Sequence, residues 1–130
     1  MSAYSVAHRG ARNAASLALA DMGAGPSIIK IYTEQGGVLL AVCRLAKPCG
    51  TINAQGRIAL QPSADPDLVL ATGTPSWGEW CDGNGVPIWG AAVTDEWGPG
   101  PFQIKGTPEG GPFVIYAGGV VPLSESALLG

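Results

Sequence analysis

Residues Leu68 to Asp95 read LVLATGTPSWGEWCDGNGVPIWGAAVTD, and this stretch decides the fold class. It consists of two extended runs rich in large residues, joined by Asp82-Gly83-Asn84-Gly85, and it holds three of the four tryptophans. Gly83 and Gly85, with Asp82 and Asn84 between and beside them, offer the positive φ angles that a tight hairpin turn requires. Side chains alternate across a strand, so Trp77, Glu79 and Cys81 fall on one face and Trp80 on the other. At least one indole is expected in the core and the other at an edge or an interface. The stretch predicts the central hairpin of a β-sandwich.

Outward from that hairpin the strand signals repeat. Ser27 to Thr33 is β-branched and aromatic, Glu34-Gln35-Gly36-Gly37 turns, and Val38 to Leu45 (VLLAVCRL) runs back, closed by Pro48 and Gly50. A short strand is centred on Gly56 to Leu60. Gln61 to Asp67, with two prolines and two acids, reads as a loop crossing between sheets. Proline and glycine recur through Glu96 to Pro112, which leaves Phe102 to Lys105 at most a short edge strand. Phe113 to Ala117 and Val120 to Leu123 are the last extended runs, and Ser124 to Gly130 is a tail. The sum is a mostly β fold: a β-sandwich of about eight short antiparallel strands, jelly-roll-like, with a short N-terminal α-helix.

That helix is expected from about Ser5 to Met22, capped by Ser2 or Ser5 and stopped by Gly23-Ala24-Gly25-Pro26. Tyr4, Ala7, Ala11, Ala15, Ala18 and Met22 share one face, and Arg9, Arg12, Asn13 and Ser16 another. A face of small side chains allows close docking, either on the chain's own sheet or on a neighbour. The organisation is therefore a helical arm over residues 1–25 and a β-sandwich domain over 26–130.

The totals narrow the function classes. At 130 residues the chain holds one domain, and charged residues make up 13% of it, about half of the roughly 25% usual in soluble proteins. A surface so poor in charge implies that some of it is covered by a partner. A net charge of −3 with scattered basic residues argues against nucleic-acid binding, which needs clustered Lys and Arg against phosphates. No apolar run reaches the length of a membrane helix and no signal-peptide layout is present, so synthesis and retention in the cytosol are expected, with no membrane partner. Three cysteines without a CxxC pair fit reduced thiols.

Catalytic and metal-ligating patterns are weak. His8 is the single histidine, set among Ala and Arg, with no nucleophile motif to serve. Cys43 and Cys49 lie across a turn and Cys81 is distant, which is not zinc-ligand spacing. Asp82-Gly83-Asn84-Gly85 matches the first positions of a calcium loop, but Val86-Pro87-Ile88 supplies no further ligands. The acid pairs Asp65/Asp67 and Asp95/Glu96 lie in loops of ordinary composition, and no phosphate-binding loop occurs. The chain reads as non-enzymatic, with no catalytic residue, cofactor or metal assigned. A second class remains open: Trp77, Trp80, Trp89 and Trp97 could form aromatic platforms for sugars on a sheet face, against the plainer reading that they anchor core and interfaces.

The order of features resembles the small virion proteins of tailed bacteriophages known as head decoration or cement proteins. The resemblance rests on GAGPSIIKIYT after an arginine-bearing helix, on ATGTPSW within the tryptophan stretch, and on IYAGGVVPLSES near the end. It spans about two thirds of the sequence, and the Pro-rich segment from Glu96 to Pro112 departs from it. It implies a jelly-roll-type sandwich that clusters with copies of itself on the outside of a capsid, made in the host cytoplasm and held in the virion by contacts to the major capsid protein. A neck or tail component of the same particle is the alternative, and a carbohydrate-binding module the alternative of another class. Under this reading Tyr4, His8, Arg9 and Arg12 on the arm, and Trp77, Trp80, Trp89 and Trp97, contribute interface area.

Overall fold

The computed structural model describes residues 5–63, 67–106 and 110–123, and the backbone of 128–129. Among the described residues one helix, α1 (Val6–Ala20), precedes seven strands: β1 (Ile28–Tyr32), β2 (Leu39–Ile52), β3 (Ile58–Pro62), β4 (Trp77–Cys81), β5 (Pro87–Asp95), β6 (Phe102–Ile104) and β7 (Leu128–Leu129). They form one sheet in the order β6-β5-β4-β1-β2-β3-β7, antiparallel throughout except for the parallel pair β5 and β6.

The protein is mostly β, as the alternation predicts, but its strands belong to a single mixed, curled sheet. Isolated bridges complete the curl. Ala41 of β2 bridges to Val69, Leu68 to Val120, and Leu123 to Ile104 of β6. Following the hydrogen bonds from β1 through β2, residues 67–73, residues 114–123, β6, β5 and β4 leads back to β1, so the sheet forms a closed circuit around one core. Ile29, Ile31, Ala41, Cys43, Leu45, Trp80, Val93, Phe102 and Ile104 fill it from the inner face. Curling and closure give the buried face of one sheet the partner that a second sheet would otherwise provide.

Two departures from regular strands make the curl possible. Along β2 the register passes from Leu45 opposite Pro62 to Gly50 opposite Leu60, so β2 carries a bulge that contains the cis Lys47-Pro48 bond. The strand read as ending near Pro48 therefore continues, with β1 paired to its first half and β3 to its second. The other departure is the return from β5 to β6, which takes only residues 96–101 where parallel neighbours ordinarily need a crossover of about a dozen. Gly98 and Gly100 lie against Thr94 so closely that a Cβ on either would stand 2.7 or 2.9 Å from its Oγ1. Gln103 Nε2 then donates to the carbonyls of Gly98 and Gly100 at 3.0 and 3.2 Å. The first part of the Pro-rich segment, residues 96–101, is thus a compact fold-back that delivers Phe102 and Ile104 to the core, 0% and 1% exposed, while residues 107–109 lie outside the described residues.

Other boundaries moved for simple reasons. Ile115 and Val120 form only isolated bridges, and the expected tail contributes β7 to the edge of β3; residues 124–127 and 130 lie outside the described residues. The loop before the tryptophan stretch is clamped at its end, where Asp67 accepts from Arg44 Nε at 2.6 Å and from the Arg44 backbone N–H at 2.8 Å.

α1 docks on its own sheet. Ser5 caps it, accepting from the His8 N–H at 3.1 Å. The docking face is Gly10, Asn13, Leu17 and Ala20, at helical steps, and not the alanine face read from the sequence: Ala7, Ala11, Ala15, Ala18 and Met22 are exposed. Burying Leu17 contributes about 1.5–3 kcal/mol. Asn13 Nδ2 donates to the Gly56 carbonyl at 2.7 Å, which satisfies both groups in a buried place. Asp21 beyond the helix end accepts from the Cys49 N–H at 2.9 Å.

Candidate interaction surfaces

The eight residues expected at interfaces occupy different environments. Tyr4 lies outside the described residues. His8 and Arg12 are exposed on α1, whereas Arg9 is half-buried and donates to the Gln55 carbonyl at 3.2 Å. Trp80 is interior, 1% exposed, so its area belongs to the core. Its indole N–H donates to Ser27 Oγ at 2.8 Å, and Ser27 donates onward to the Cys81 carbonyl at 2.7 Å. Trp77 is half-buried on the outer face. Trp89 and Trp97 are exposed, 40% and 56%, and Trp89 meets the Phe102 ring edge-on with centroids 5.6 Å apart.

The turn at the hairpin tip is built from its own side chain. Asp82 Oδ1 accepts from the N–H groups of Asn84 and Val86 at 2.8 and 3.0 Å, an Asx turn that engages that oxygen within the loop. Gly85 takes the positive φ, +80°, as expected, but Gly83 does not. Gly83 is needed for space: its N–H donates to the Met22 carbonyl at 2.7 Å, and a Cβ there would collide with the Gly25 carbonyl oxygen. The tip is therefore docked at Gly83 on the helix exit, with Asn84 and Val86 exposed.

No group of three or more metal-ligating side chains occurs among the described residues. Asp65 lies outside them, while Asp67 is held by Arg44, Asp95 accepts from the Trp97 N–H at 3.1 Å and Glu96 from the Gly106 N–H at 3.3 Å. The three cysteines are free and buried. Burial first, and the Asp67 carboxylate second, push the Cys43 thiol up to about 12; burial and then Asp21 push Cys49 to about 12. Burial also raises Cys81.

A pH dependence follows. The unfolded thiols ionise above their ordinary value of 9.0 while the folded ones stay neutral, so alkali favours the unfolded state. The stability is whole below pH 9.0 and is lost as pH rises toward about 12, at about 1.4 kcal/mol per pH unit for each such thiol. Urea midpoints at about pH 8 and about pH 10.5 should differ less in Cys43→Ala than in the parent, since other alkaline groups remain in both. An unchanged difference would show that Cys43 ionises as readily in the fold as out of it.

The surface also displays an apolar row that sequence reasoning passed over. Leu68 and Val120 are cross-strand neighbours, and Leu70 stands two residues along. Tyr116 begins a turn whose Gly118 N–H donates to the Val69 carbonyl at 2.9 Å. These four are 56%, 56%, 62% and 63% exposed, and a cleft of about 260 Å³ lined by Lys105, Val114 and Pro122 runs beside them. The signal was present in the alternation of Leu68, Val69 and Leu70, where only the middle residue is buried; which of the two faces would stay bare depends on the curl. No helix among the described residues is long and apolar enough to cross a membrane. Compared with family models, curated proteins and solved structures, the chain shows no match.

Proposed function

We propose that this chain is a non-enzymatic structural protein that acts by covering surface, and, following its resemblance, that the surface is the outside of a phage head. The reading draws on a mostly β fold whose single curled sheet encloses one core. The observation that carries the reading is the apolar row of Leu68, Leu70, Tyr116 and Val120, large side chains more than half exposed along one side of the molecule. Contiguous apolar surface of this kind marks contact with another macromolecule, and on an icosahedral shell each weak contact is multiplied by the number of copies. The partners in this reading are the major capsid protein and further copies of the chain.

Shells carrying the protein should rupture at a higher temperature than shells lacking it, and shells carrying the Leu68→Ser, Leu70→Ser, Val120→Ser variant should behave like bare ones. Equal rupture temperatures for the bare and the decorated shells would dismiss the stabilising role. Imaging of whole particles separates the alternatives: density spread over the shell supports decoration, and density confined to one vertex or the tail assigns the chain to the neck or tail instead.

A further inference from the structure

On the far side of the circuit from the apolar row, the outer face of β1, β4 and β5 carries a groove of about 420 Å³, within the size range of small-molecule sites. Strand register builds its floor. Tyr32 pairs with Trp77, and Glu79 pairs with Gly90. Gly90 has no side chain, and a Cβ there would stand 2.5 Å from Trp77 Cζ2 and 3.3 Å from Trp77 Nε1. The indole therefore lies across Gly90, beside Glu79 and next to Tyr32. Gln35, Gly36 and Gly37 of the turn between β1 and β2 close one end.

The polar groups around the indole are open. The Trp77 N–H has no acceptor among the described residues, and Glu79 Oε1 meets only the Cys81 thiol, a weak donor, at 3.9 Å. An aromatic face flanked by a carboxylate, a carboxamide and an N–H matches a sugar ring, which is apolar on its C–H faces and carries hydroxyls that both donate and accept at its edge. A cationic ligand fits less well, because Lys30 is the cross-strand neighbour of Glu79 on the β1 side and already supplies positive charge there. A peptide strand cannot add, because β4 is paired on both edges.

We propose that this groove binds a saccharide, with one ring stacked on the Trp77 indole and its hydroxyls bonded to Glu79, Gln35 and the Trp77 N–H. The assignment uses none of the residues of the apolar row, so it stands or falls apart from the capsid role. Gly90 acts as a specificity determinant by holding the indole flat against β5.

The test is an amide NMR titration of the whole chain with malto-, cello- and chito-oligosaccharides. At least one series should shift the Trp77 indole N–H and the Gly36, Gly37 and Gly90 amides saturably. Trp77→Ala should abolish the shifts, Glu79→Gln should weaken binding by about tenfold through loss of a charged acceptor, and Trp97→Ala should leave it unchanged. Glu79→Gln preserves shape, so the result does not depend on Trp77→Ala remaining folded. Silence of these amides across the panel would overturn the proposal, as would sugar binding indifferent to both Trp77→Ala and Glu79→Gln. So would saturation of the same amides by choline or a proline-rich peptide while every sugar fails.

Discussion

Trp80→Ala should lose about 3–5 kcal/mol, the cost of removing a large buried aromatic side chain, and against a total of about 5–15 kcal/mol for a domain the variant should be barely folded at room temperature. Trp80 leads the fully buried side chains by volume and stands across from Ile29 on β1 and Trp89 on β5, so its loss empties the middle of the circuit. Its N–H also holds Ser27 at the start of the β1 hairpin. Trp80→Phe keeps a ring in the core but gives up that bond and part of the indole's volume, and should lose about 1–3 kcal/mol. Urea midpoints of the two variants should fall in that order. A Trp80→Ala protein within about 1 kcal/mol of the parent would mean that the core repacks around the gap, contrary to the close packing of protein interiors.

Gly56→Val should strip α1 from the sheet and leave the sheet itself folded. Gly56 has φ +77°, where an L side chain costs about 1–2 kcal/mol. A Cβ there would also stand 2.7 Å from the Val6 carbonyl oxygen and 2.9 Å from the Gly10 N–H, both backbone atoms of the helix that cannot swing aside. Trypsin should then cut after Arg9 and Arg12 far faster than in the parent, while the signal of buried Trp80 persists. Gly10→Ala is the counter-case. Its Cβ would meet nothing closer than 3.8 Å, so the helix should gain stability by about 0.5–1 kcal/mol. Unchanged trypsin cutting in Gly56→Val would show that the helix is not held at this contact.

These two positions also show what could be read from the chain alone. The opposite placement of Trp77 and Trp80 follows from strict alternation between Trp77 and Cys81, and a serine cap, at Ser2 or Ser5, from the residues before the helix; the structure places it at Ser5. Both are local consequences of backbone geometry. The docking face of α1 was misread because small residues at helical steps outnumber the one leucine that faces the sheet, and because the pocket receiving Gly10 and Asn13 is made by Gly56, distant in sequence. The curl was hidden for a related reason. A proline after Lys47 reads as a stop, and only the pairing of β2 with two different partners shows it to be a bulge within one continuous strand. The groove was half legible: the aromatic residues were singled out, but nothing in the order of residues places Gly90 beneath Trp77 and opposite Glu79.

The closure of the circuit has a mechanical consequence. β1, β2, β4 and β5 are joined by full ladders, whereas 67–73 and 114–123, though bonded to each other at both Leu68–Val120 and Gly73–Ile115, reach β2 and β6 through one isolated bridge each. The molecule thus resembles a sleeve sewn firmly on one side and merely tacked on the other, and Leu68, Leu70 and Val120 line the tacked side. Opening of the core should therefore begin at the joins of Val69 to Ala41 and of Leu123 to Ile104, where the fewest hydrogen bonds hold the circuit shut.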